Sequence, residues 1–205
     1  MPTPTPSPAS PPPAPAAPPP SVISLSFAGP IQYPASKNLR NACCYHVTNG
    51  ANEIRILFSS TGGTVDEGFS LHNFLRALPV KLVMHCVGMA DSIALVVFLA
   101  GRERFCCADS TFLFHDYSWT FPAAAAVSLT RQQFGEHHRN LTNFIERSQT
   151  LLKTRAAFTD QDFKTLRLYE EASIRDSAFA KQKGIVSEIK DAAVPPRGPL
   201  YNVDY

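Results

Sequence analysis

What most constrains this chain is a regular exchange between short apolar runs and helix-period segments. Residues 22–27 alternate and are β-branched, as a strand requires. Residues 34–48 read as a helix, with Leu39, Cys43 and His46 or Val47 on one side and Asn49-Gly50 as its stop. A strand over 53–58 follows, then a helix over 66–78. Phe69, Leu71, Phe74, Leu75 and Leu78 supply its apolar side, and Pro79 ends it. The pattern repeats as a strand over 80–87 and a helix over 91–100 with Gly101 as its C-cap, then short strands over 105–107 and 112–114. Strands joined through helices in this way run parallel with right-handed crossovers, so the fold class is α/β.

Residues 123–155 read as one long helix. Its apolar stripe, Phe134, Leu141, Ile145, Ser148 and Leu152, is narrow, and the opposite side is polar. Such a helix needs something to lie against, either its own domain or a second subunit. Thr159 is placed to cap a helix from Asp160 to about Leu168. Asp176 is placed to cap a short one ended by Gly184, and 185–189 reads as a last strand.

The ends differ in composition. The first twenty residues hold 11 of the chain's 18 prolines. Proline has no N–H for helix or sheet ladders, so residues 1–21 read as a disordered, extended arm. It lacks the basic start and apolar stretch of a signal peptide. Residues 22–192 suffice for one domain with a real core, and 193–205, with Pro195, Pro196 and Pro199, read as a flexible tail.

Net charge is +2 with signs mixed, which gives no basis for binding nucleic acid, and no uncharged apolar run reaches the ~18 residues that span a bilayer. Five cysteines, an odd number without a CxxC, read as reduced and buried, in keeping with a cytoplasmic location. Neither a metal nor a cofactor is expected.

The chemistry-bearing residues sit where one element passes into the next. Gly62-Gly63 follows a strand, and glycines there can offer backbone N–H groups to an oxyanion. Ser92, twenty-nine positions after Gly63, stands where an apolar strand passes into an apolar helix, and His115 closes the run STFLFH. A serine so placed can be a nucleophile with the histidine as its base. Each has a plainer reading: a serine at a helix start is an N-cap, two glycines make a tight turn, and a lone histidine is structural. Asp91 could cap the helix in place of Ser92, freeing the serine but placing a negative charge beside it.

In that order and context the chain resembles the proteolytic subunit of the ATP-dependent Clp protease. SSTGGTV matches the family's glycine turn, GMADS its Gly-x-Ala-x-Ser nucleophile segment, FLFHD the strand ending in the base, and GIVSEI a late strand. The resemblance covers roughly 22–192. It implies a crotonase-like fold of repeated ββα units with a long protruding handle helix. It also implies a serine endopeptidase with Ser92 as nucleophile, His115 as base, and the N–H groups of Gly63 and Ile93 as oxyanion hole. For the acid it leaves Glu171, Glu170 and Asp176, since counting from the two flanking landmarks lands on different residues. It further implies a homo-oligomeric ring, peptide or unfolded-protein substrates, and an AAA+ ATPase unfoldase as partner.

The chain departs from the family at Thr61, where a proline often stands, and at Asp91, where a small residue is usual. It departs again over DYSWTFPAAAA, which is longer and more aromatic than the family's glycine-rich strand. Two other readings remain: a non-catalytic ring subunit or binding module that has lost its acid, and an acyl-CoA enzyme of the wider crotonase group.

Overall fold

The computed structural model describes residues 22–119, 128–195 and 198–203. In chain order the elements are β1 (Val22–Ala28), α1 (Tyr33–Thr48), β2 (Glu53–Ser60), α2 (Val65–Ala77), β3 (Lys81–Ala90), α3 (Ile93–Phe98) and β4 (Glu103–Cys106). They continue with β5 (Phe112–Phe114), α4 (Arg131–Arg155), α5 (Asp160–Leu166), β6 (Ser173–Arg175), α6 (Ser177–Gln182), β7 (Glu188–Ile189) and β8 (Leu200–Asn202).

Along β2 every second side chain is buried, so Ile54, Ile56 and Phe58 face the core while Arg55 and Leu57 face the other way. This strand lies inside a six-stranded sheet of order β7-β4-β3-β2-β1-β8, parallel throughout. Rings thread the core from one side to the other. Phe27 stacks on Phe58 at 5.5 Å, Phe58 meets Phe98 at 6.2 Å, and Phe98 meets Phe112 at 6.0 Å. Each such pair adds ~0.5–1.5 kcal/mol beyond its area burial. Helix α3 is buried along its whole length, which is why its six residues are all apolar.

The expected ββα repeat is present in reduced form. After β1 and β2 the second strand shrinks to one bridge, Ile31 to Gly63. After β3 it is the strand's own end, with Met89 bridged to Thr111, and after β4 it is β5, paired antiparallel with β6. This small second layer gathers the ends of three units in one place.

Four expectations are corrected. The long helix begins at Arg131, because Thr130 and Gln133 form a reciprocal capping box, whereas 123–130 was expected to be helical. Residues 128–130 are not helical, and 120–127 lie outside the described residues. The helix expected over 91–100 is confined to Ile93–Phe98, and the strand expected over 185–189 to Glu188–Ile189. The tail expected to be loose from 193 onward carries β8, parallel to β1, and buries Val203 to 3% exposure. The expected arm, residues 1–21, lies outside the described residues. None of the described helices is long and apolar enough to cross a membrane.

Helix α4 spans about 37 Å at 1.5 Å per residue. Only Ser148 and Leu152 of it are fully buried, and Phe134 near its start is 65% exposed. Its C-terminal end is fastened by arginine. Arg104 on β4 donates to the carbonyls of Gly101 (2.9 Å), Arg155 (2.6 Å), Gly184 (3.1 Å) and Ile185 (2.6 Å). Arg155 donates to Leu99 (3.2 Å) and Gly101 (2.9 Å). Burial, then the nearby Arg155 and Arg76 charges, push Arg104 down to about 10, so it stays charged at neutral pH. A planar fork of five donors suits this cluster of carbonyls; an ammonium cannot reach all four. Replacing Arg104 by Ala or Lys should cost about 3 kcal/mol, a drop in Tm on the order of 10 °C measured by calorimetry.

His72 on α2 is 3% exposed, and its Nδ1–H donates to the Val96 carbonyl at 2.7 Å. Burial lowers its pKa from 6.5, and burial lowers His85 and His46 in the same sense. The folded state therefore holds these rings neutral, and the unfolded chain takes up protons first as pH falls. Their contribution is complete above an unfolded pKa of about 6.5 and is lost below it. Tm should fall steadily from pH 7 to pH 5, and His72→Gln, which keeps a donor for Val96, should flatten that slope.

Candidate active site

Three loops of the second layer meet at Ser92. The first is the turn after β2. A parallel bridge uses the groups flanking its central residue: the Ile31 N–H donates to Gly62 O (2.8 Å) and the Thr64 N–H to Ile31 O (2.7 Å). The Gly63 N–H is thereby turned to the opposite side, and it has no partner among the described residues. Glycine is required at both positions. Gly62 has φ +92° and Gly63 φ +150°, and a Cβ on Gly63 would lie 2.2 Å from Ile31 O. A Cβ on Gly62 would lie 2.8 Å from Ser92 Cβ and 3.4 Å from Ser92 Oγ, so this turn lies directly against the serine.

The second is the passage from β3 into α3. Ser92 occupies the N-cap position with φ +57° and ψ −130°, and its side chain makes no cap hydrogen bond. A non-glycine residue held there is strained by ~1–3 kcal/mol, as in the sharp strand-to-helix turns that present nucleophiles. The plain N-cap reading of Ser92 therefore fails on geometry, and Asp91 does not cap with its side chain either. The Ala94 and Leu95 N–H groups are met by the main-chain carbonyls of Asp91 (3.0 Å) and Ser92 (3.1 Å). The Ile93 N–H is one of the orphan donors of a helix start and has no partner among the described residues. Ile93 is placed by a glycine the sequence reading passed over. A Cβ on Gly68 of α2 would lie 2.2 Å from Ile93 Cγ1. A glycine inside an amphipathic helix was the available signal, since it costs ~1 kcal/mol against Ala unless a neighbour needs the space.

The third is β5 with His115 just beyond it. Ser92 N–H donates to Leu113 O (2.9 Å), and Leu113 N–H donates to Asp91 Oδ1 (2.9 Å). The Asp91-Ser92 turn thus holds both polar groups of a residue two positions from His115. Burial raises the Asp91 carboxyl above the usual carboxylate range, while the Leu113 N–H and the His115 charge draw it back. The His115 ring makes an edge contact with Tyr117, centroids 6.5 Å apart.

The expected acids are engaged elsewhere in this arrangement. Glu170 and Glu171 both pair with Arg167 and are well exposed, and Asp176 caps α6 by accepting the Phe179 N–H at 2.8 Å. None of the three forms an ion pair with His115. The β5–β6 register ends at Phe114 opposite Ser173, and one step further sets Ala172 opposite His115. The buried side of this segment holds Tyr169 instead, at φ +73°. Its hydroxyl joins a hydrogen-bonded set with Tyr117 and Ser148, whose own contact is 2.7 Å. Burial pushes Tyr117 up to about 12.

Beside Gly63 runs a cleft of about 400 Å³ lined by Ile31, Val65, Asp66, Trp119 and Phe144 among others. Among the described residues no group of three or more His, Cys, Asp or Glu side chains is arranged to hold a metal ion.

Residues 27–192 match the family model described as Clp protease, and the chain belongs to that family. The family has the crotonase-like fold, with which the mostly parallel α/β architecture agrees. The chain is 28% identical over 141 residues to ATP-dependent Clp protease proteolytic subunit 2 of Borreliella burgdorferi, covering 66% of each. It is 28% identical over 144 residues to the proteolytic subunit of Cyanophora paradoxa, covering 69% of this chain and 70% of the relative. Against the Bdellovibrio bacteriovorus subunit it is 23% identical over 157 residues, 74% of this chain and 70% of the relative. The chain thus spans about two thirds of the length of these relatives.

A helix Gly→Ala change normally gains about 1 kcal/mol. Gly68→Ala should reverse the sign and lower stability by about 1–3 kcal/mol, because the new Cβ strikes the fully buried Ile93. Denaturant titration at unchanged m-value measures it.

Proposed function

We propose that this chain is a serine peptidase of the Clp type, with Ser92 as nucleophile and His115 as general base. The observation that carries the reading is Ser92 itself, held at φ +57° with a hydroxyl that caps nothing, against the Gly62-Gly63 turn and directly before Ile93; the Gly63 and Ile93 N–H groups have no partner among the described residues. His115 takes the Ser92 proton as Oγ attacks a peptide carbonyl. The oxyanion is held by the N–H groups of Gly63 and Ile93. His115 then protonates the leaving amine, and the acyl-enzyme is hydrolysed by a water that gives its proton to His115 while Ser92 recovers its own. For the acid the reading takes Glu171, released from Arg167, with Glu170 and Asp176 as the other carboxylates of that segment.

Substrates are short peptides or unfolded chains, with an apolar side chain seated in the cleft beside Trp119. The thin burial of α4 and the exposure of Phe134 support a homo-oligomeric ring, and an AAA+ ATPase unfoldase is the partner that the family membership suggests. Five free cysteines accord with a cytoplasmic setting. The competing reading, a non-catalytic ring subunit, draws support from the engagement of all three carboxylates.

Intact mass after treatment with a fluorophosphonate should show one adduct on the wild type and none on Ser92→Ala. His115→Ala should lower peptide hydrolysis by about 10⁶, to the residual level that binding and the oxyanion hole supply. Loss of an orienting acid typically costs about 10⁴ in kcat, so Glu171→Gln should fall far below Glu170→Gln in the same assay. A folded, assembled wild type that takes no adduct would favour the non-catalytic subunit.

A further inference from the structure

We propose that Asp91 is a positioning residue for the Ser92–His115 pair: its carboxylate replaces a main-chain rung to hold the His115 strand, and its charge balances the imidazolium of acyl transfer. This rests on the serine-peptidase reading of the same site.

The rung is visible in the hydrogen bonds between the end of β3 and the start of β5. Thr111 N–H donates to Gly88 O (3.0 Å), Ala90 N–H to Thr111 O (3.0 Å), and Ser92 N–H to Leu113 O (2.9 Å). A regular parallel ladder would take the Leu113 N–H to the Ala90 carbonyl. The chain turns away at Ser92, and the Leu113 N–H goes to Asp91 Oδ1 at 2.9 Å instead. Leu113 and His115 share one face of the extended segment, opposite the buried Phe112 and Phe114. Fixing both polar groups of Leu113 therefore fixes the base relative to the nucleophile.

The charge follows from the same geometry. Asp91 is half-buried, and its link to Leu113 places it where a positive charge on His115 acts on it. Of the nearby carboxylates, Glu170 and Glu171 are held by Arg167 and Asp176 by the α6 cap, while Asp116, next in sequence to His115, is exposed to solvent. When His115 accepts the Ser92 proton, Asp91 is a half-buried anion tied to the His115 strand through Leu113, whereas the charge of the exposed Asp116 is screened by solvent. An anion beside an imidazolium favours the charged form, and half-burial keeps the interaction from being fully screened.

The test compares the full-length, assembled wild type with Asp91→Asn and Asp91→Ala. Asparagine keeps an acceptor for the Leu113 N–H and removes the charge; alanine removes both. Asp91→Asn should retain wild-type Tm, wild-type hydrogen-exchange protection at Leu113 and KM within twofold. Its kcat and fluorophosphonate labelling rate should fall about tenfold, less than the ~10⁴ of a fully seated triad acid. Asp91→Ala should lose the Leu113 protection and fall about tenfold further. Wild-type kcat in Asp91→Asn would overturn the proposal while leaving the peptidase reading intact, as would a gain in rate. A wild type that neither labels nor cleaves peptide, though folded, would remove the peptidase reading and this inference with it.

Discussion

At Ser92 the backbone must leave a parallel strand and enter a helix within one residue, and it does so at φ +57°, where a side chain is strained. Such a conformation persists only when its surroundings over-determine it. Here they do so from three sides. Gly62 abuts Ser92 Cβ, the Leu113 main chain is held by Ser92 and Asp91 together, and Gly68 admits the buried Ile93 that follows. The rest of the molecule can be seen as the scaffold for that turn: β2 delivers the glycines, β3 the serine, and β5 the histidine.

Polar groups in the interior are dealt with by geometry more than by charge pairing. Among the described residues Arg104 has no carboxylate partner, and it satisfies four carbonyls at the junction of β4, α4 and α6. Tyr117, Ser148 and Tyr169 satisfy one another beneath the His115 strand. The second set occupies the side of the 167–172 segment that faces the site, with Arg167 and Tyr169 both in the left-handed region. That packing directs Glu170 and Glu171 outward onto Arg167. The strain of this loop is a cost that the packing of Tyr169 against the aromatic core offsets.

Much of the architecture was legible because it rests on periodicity. The buried alternation of β2, the apolar side of α2 and the all-apolar α3 are written in residue types, and the order Gly63, Ser92, His115 follows from where those elements end. Other features left no such mark. The strand β8 is three residues whose pairing depends on β1 being available beside it, and the prolines around it read as loop. The start of α4 turned on a capping box, Thr130 with Gln133, whose signal is weaker than the alanine run upstream. Gly68 could have been noticed as a helix glycine without an evident reason, but its reason, Ile93, lies on a different helix.

The sequence by itself determined the α/β class, the parallel order of the principal strands, and which glycines, serine and histidine stand at strand ends, because short-range periodicity and turn chemistry decide those things locally. Tertiary structure decided whether the Ser92 hydroxyl caps its helix, which N–H groups are left without partners, and what each carboxylate near His115 binds. Those are outcomes of competition among groups distant in the chain. Leu113 and Asp91, or Arg167 with Glu170 and Glu171, are assigned to one another only once the strands have been brought side by side.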